Sequence, residues 1–158
     1  MAAANFNPCH FPVARPLVPV AVAMVLADRG EDYVLAAIET GAIGFAWDIR
    51  GRAAAAREIR MWRDSLLAWL ANPVMERAAG PVRLQDDRAI LGSLFLHSRP
   101  ELRGTELQRM FSCGHSHVIN LIKDGLLTAT TKAGSGPRGS PRITRASVIN
   151  FLSSRRVV

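Results

Sequence analysis

Five consecutive residues, Cys113-Gly114-His115-Ser116-His117, contain three side chains able to ligate a metal. Thiolate and imidazole donors suit zinc, and Cys9-His10 could supply further ligands. The spacing argues against such a site. Structural zinc sites draw on paired short spacings, whereas His115 and His117 lie two apart in a helical pattern and diverge by roughly 200°. No metal and no cofactor is expected. A second chemistry emerges once the following residues are included. With Val118, Leu121 and Ile122 facing a core, Ser116, His117, Asn120 and Lys123 project outward. An asparagine on an open helix face can pair bidentately with adenine N6 and N7, and a lysine can reach phosphate. His115, Ser116 and His117 occupy the first turn, the end of a helix that commonly reaches base edges. If both histidines face DNA, binding should tighten mildly below neutral pH.

These residues lie in the basic part of the chain. The 158 residues carry a net charge of +7, unevenly distributed. Residues 1–80 hold eight basic and eight acidic side chains; residues 81–158 hold twelve and five. From Arg103 onward, nine basic residues face only Glu106 and Asp124. Such a field attracts a polyanion. Eighteen of the twenty basic residues are arginine, which suits bidentate contacts to phosphate or guanine. A second cluster, Arg50, Arg52, Arg57, Arg60 and Arg63, lies in the first half.

Catalysis is not expected. No glycine-rich phosphate loop of known spacing occurs, and Asp86-Asp87 stands at a helix start, where it complements the helix dipole. Two cysteines, one in each half, form no disulfide framework and fit a reduced cytoplasmic setting. Cys113 is expected to be an inert turn residue. The apolar stretch 17–27 could pass for a signal-peptide core. It is interrupted by Pro19 and preceded by a single arginine, so a helix of the fold is expected there. No apolar run reaches the length of a membrane span. Trp47, Trp62 and Trp69 could form a stacking platform for single strands. Trp69 is expected in the core instead, and either Met61 or Trp62 outward.

The elements that must position these side chains occur twice. Residues 34–43 align with 118–127 at an offset of 84, and 60–70 align with 142–152 at an offset of 82. In the first copy, helices are expected at 20–27 and 31–40, the second closed by Gly41 in the αL conformation. A strand at 45–49, a basic wing at 50–56, a strand at 58–62 and a helix to Leu70 capped by Asp64 or Ser65 follow. Residues 73–79 suggest a helical turn, and 86–97 a helix with Ile90, Leu91, Leu94 and Phe95 on one side. In the second copy, helices are expected at 105–111 and 115–123, the latter closed by Gly125. A β-prone stretch at 128–131, a loop at 133–140, a strand at 142–144, a helix at 146–153 and a basic tail complete it.

The text Arg109-Met110-Phe111-Ser112-Cys113-Gly114-His115-Ser116-His117-Val118-Ile119-Asn120-Leu121-Ile122-Lys123-Asp124-Gly125, with Pro141-Arg142-Ile143-Thr144-Arg145 leading to Leu152, resembles the excisionase-type, MerR-like winged helix-turn-helix domains. The resemblance covers residues 105–152 and, more weakly, the first copy. It implies a recognition helix in the major groove and a wing on the flanking backbone or minor groove. Lys132 and Arg138 would flank the wing tip, and Arg142 and Arg145 would touch backbone. The expected fold is mainly α with small β-wings. It comprises an N-terminal arm (1–16), two tandem winged helix-turn-helix modules (17–72 and 100–158) and a helical linker (73–99).

The first copy departs from the pattern. Glu31 and Asp32 stand where the second has His115 and Ser116, and Ala36 stands where it has Asn120. Its wing, with Arg50, Arg52, Arg57 and Arg60, could still hold backbone; a degenerate copy serving in dimerisation is the other reading. The expected function is sequence-specific double-stranded DNA binding, first as a transcription regulator. A recombination directionality factor or partition-type protein of a mobile element comes second, and a protein-interaction module is the alternative from another class. A homodimer through the 86–97 helix or the first module is a further expectation.

Overall fold

A computed structural model describes residues 15–72, 87–95, 99–131 and 140–157. About half of the described residues are helical, and the strands are short and antiparallel. The chain is thus mainly α with small β elements. In the first half, β1 (Leu17–Pro19) leads into α1 (Val20–Ala27) and α2 (Glu31–Glu39), then β2 (Ala46–Asp48), β3 (Ile59–Trp62) and α3 (Arg63–Ala71). A linking helix, α4 (Asp87–Leu94), follows. The second half repeats the order with β4 (Glu101–Arg103), α5 (Gly104–Phe111), α6 (His115–Lys123), β5 (Arg142–Thr144) and α7 (Arg145–Ser154).

The repeat is visible in the backbone itself. Asp28 and Ser112 both adopt the left-handed conformation after the first helix, each with φ of 50°. Gly41 and Gly125 do so after the second, with φ of 76° and 70°. Both glycines stand where a side chain would be strained, which is why each stops its helix there. The sheets also correspond. β3 lies between β1 and β2, with Leu17 opposite Trp62 and Ala46 opposite Met61. β5 pairs with β4, Leu102 opposite Ile143. On its other edge it bridges Ala129, so residues 128–130 take the place of β2.

Several expectations change. β1 and β4 were not anticipated. α3 begins at Arg63 without a side-chain cap, so neither Asp64 nor Ser65 plays that part. Arg145 opens α7 half-buried instead of extending a strand row with Arg142. Residues 1–14 of the expected arm at 1–16, the turn at 73–79, both ends of the 86–97 helix, and the second wing tip with Lys132 and Arg138 lie outside the described residues.

Two cores form, and one spans both halves. One core gathers Val34, Ala37, Ile38, Ile43, Met61, Leu66 and Trp69 of the first half, with Val157 of the C-terminal tail packed against it. Leu17, Phe45, Trp47 and Ile49 instead join Leu107, Phe111, Val118, Leu121 and Phe151 of the second half. Leu91 and Phe95 of the linking segment close this shared core, with Ile90 and Leu94 packed against it. The apolar side of α4 therefore meets its own chain. Trp47 and Trp69 are buried, so the tryptophans form no open platform; Met61 is buried in the first half's core and Trp62, half-buried, packs against the shared one.

The C-terminal tail contributes as well. Asp48 N–H donates to Arg155 O at 2.9 Å and Val157 N–H to Ala46 O at 2.8 Å, extending the first sheet beyond β2. The Arg156 guanidinium sits 4.7 Å over the Phe45 ring, a cation–π contact. Among the described residues, no helix is long and apolar enough to cross a membrane.

Candidate nucleic-acid interface

α6 divides into three sectors. Val118 and Leu121 enter the shared core. His115, Ser116, Asn120 and Lys123 are exposed, with Ile119 half-exposed among them. His117 and Asp124 fill the boundary, and both meet the first half. This follows from the helical period: 117 and 124 are seven residues apart, about two turns, and share one edge.

His117 is the main correction at this site. It does not project outward with Ser116 and Asn120. Its Nε2 donates to Ile49 O at 2.9 Å, and its Nδ1 lies 3.2 Å from Glu58 Oε2. The ring therefore lies between two oxygen atoms of the first half. His115 points elsewhere, its Nδ1 3.3 Å from Gln108 Nε2. The two imidazoles thus serve different neighbours, as their angular separation implied. Among the described residues, no group of three or more histidine, cysteine or acidic side chains could hold a metal ion. Cys9 and His10 lie outside those residues.

Arg60 is the second correction. Its place in the sequence suggests a surface wing residue, yet it is buried. Its Nε donates to Phe111 O at 2.8 Å and one terminal nitrogen to Ser112 O at 3.3 Å. The same nitrogen donates to Glu58 Oε1 at 2.8 Å. Ser112 Oγ donates in turn to Leu17 O at 2.6 Å. These bonds satisfy the carbonyls that α5 leaves free at its C-terminal end, where a cation is also favoured by the helix dipole. Arg60 therefore fastens the first half to the turn before α6.

The remaining wing residues stay at the surface. Asp48 Oδ1 accepts from the N–H groups of both Arg50 and Glu58 at 3.1 Å, clipping the base of the wing. Arg50 Nε pairs with Asp48 Oδ2 at 3.1 Å. Arg52 and Arg57 are exposed. Arg52 N–H donates to Asp124 Oδ2 at 2.8 Å, bringing the wing alongside α6. In the second half, Arg142 is exposed on β5 next to 128–131, held loosely by Glu101 at 3.7 Å.

Cys113 lies behind this junction. Burial pushes its thiol up to about 11; Arg60 opposes the shift and Glu58 adds to it. It is a poor nucleophile in that setting. The second-half groove between α6 and 127–131 is lined by Lys123, Thr128, Thr130 and Thr131, with no carboxylate among the described residues. The matching first-half groove contains Glu31, Glu39 and Glu58 together with Arg57 and Arg60.

Sequence reasoning missed Glu58 and Asp124, both of which organise the site. Each pairs across 59 or more residues, and no local pattern encodes that. The chain matches no family model, no curated protein and no solved structure.

Proposed function

We propose that this protein binds double-stranded DNA in a sequence-specific manner, with α6 as its reading helix. In this reading the halves are tandem winged helix-turn-helix modules, 17–72 and 100–158, joined by a helical linker. The observation that carries it is the open sector of α6. Ser116, Asn120 and Lys123 stand exposed on one side of a helix whose opposite side is fixed in a core. Hydrogen-bonding side chains on a rigid helix suit base edges in the major groove, whose width admits a helix. The positive charge concentrated from Arg103 onward supports the same partner.

Asn120 reads adenine, Ser116 adjusts to either base type and Lys123 reaches phosphate. Arg142 holds backbone near the second wing. The first module supports this one and reads no bases itself, because Glu31 and Asp32 are exposed at the start of α2. Two carboxylates there repel phosphate. Control of transcription is the role favoured; excision or partition in a mobile element would use the same DNA-binding step.

Salt dependence tests the proposal. Log affinity for duplex DNA should fall linearly with log salt, with a slope of several units for about five phosphate contacts. A flat dependence, or no binding to any duplex, would sink it.

A further inference from the structure

The first half's wing is badly placed to serve its own second helix. The groove between α2 and that wing is faced by Glu31, Glu39 and Glu58, against Arg57 and the Glu58-paired Arg60. Carboxylates outnumber cations there, which disfavours a phosphate chain. On its other side the same wing runs along α6. Ile49 meets His117, and Arg52 meets Asp124. Those two α6 residues are about 10.5 Å apart along the helix axis. Residues 49–52 span about 10 Å when extended. The wing stem therefore follows α6 for two turns and ends at Asp124, the residue that follows Lys123. At Gly51 the approach is so close that a Cβ would fall 2.9 Å from Asp124 Oδ2. The Arg52 guanidinium, exposed, forms no hydrogen bond or ion pair among the described residues.

We infer that the first half's wing belongs to the second half's DNA interface, with Arg52 binding the phosphate strand that borders the groove entered by α6. The inference rests on the DNA-binding function proposed above and specifies the form of the site. One helix reads bases, flanked by the first half's wing on one side and by the 127–131 stretch on the other. The target is one uninterrupted stretch of duplex instead of two repeated half-sites. Arg57 lines the acidic groove on the far side of the wing and takes no part.

The test uses the full chain and a duplex it selects from random sequence. Phosphate-ethylation interference should give one continuous footprint. Arg52→Ala should remove interference at one edge and lower the salt slope by about 1, whereas Arg57→Ala should change neither. Gly51→Ala keeps every charge but crowds Asp124, and should weaken the same edge. Two separated footprints would overturn the inference. So would an unchanged slope for Arg52→Ala, or equal losses for Arg52→Ala and Arg57→Ala. Failure of the unaltered chain to bind any duplex would overturn the DNA reading and the inference with it.

Discussion

His117 and Glu58 meet across the junction of the two halves, Nδ1 to Oε2 at 3.2 Å, so the helix proposed to read DNA is tied to the opposite half's wing. The other nitrogen of the same ring is held by Ile49 O, which fixes the ring from both ends. A double-mutant cycle with His117→Ala and Glu58→Ala should therefore reveal coupling of about 1 kcal/mol in chemical denaturation. Purely additive losses would mean that the two side chains do not act together. Of the two helix histidines, His115 is therefore the exposed one.

Arg60 makes the opposite prediction from an exposed wing arginine. Arg60→Ala strands the carbonyls of Phe111 and Ser112, at a cost of about 2–4 kcal/mol. Arg60→Lys keeps the charge but not the forked geometry, so it should recover only part of that. The salt slope of DNA binding should stay unchanged in folded protein. A lower slope with unaltered stability would place Arg60 on DNA instead.

Trp47 is fully buried in the core that both halves share. Trp47→Ala should cost about 3–5 kcal/mol. Because the core is common property, fluorescence and far-ultraviolet circular dichroism should report one coincident unfolding transition. Separate transitions would contradict the shared core.

Much of the local structure was legible in the sequence, because it is written in short-range terms. α1 lies where the apolar run resumes after Pro19, and α2 and α6 end at Gly41 and Gly125 as the αL stop requires. Strands β1 and β4 were not legible. Three residues are too few for alternation, and Pro19 reads as a break until its strand is paired. The exposed stripe of Ser116, Asn120 and Lys123 followed from helical period alone. His117 sits at the edge of that stripe, and period cannot say whether an edge residue meets solvent or a neighbour. What decided it was Ile49 and Glu58, which only the packing of the halves brings near.

The raised thiol of Cys113 has a consequence for stability at alkaline pH. Its folded value, about 11, exceeds the unfolded one, so the folded state favours the neutral thiol. That stabilisation is complete below the ordinary thiol range and is lost as pH rises through it toward about 11. In a Cys9→Ala background, stability should fall across this window, and Cys113→Ala should flatten the decline. Alkylation at neutral pH should be slow in the folded protein and rapid in denaturant. Equal rates in both would contradict the burial.

If α6 reads bases, the loss of Asn120 must show it. Affinities of the unaltered chain and of Asn120→Ala would be measured at one salt concentration, on a selected duplex and on a random one. Loss of about 1–3 kcal/mol on the selected duplex, with little change on the random one, is the predicted result. Equal losses on both, or no loss on either, would contradict base reading by this helix.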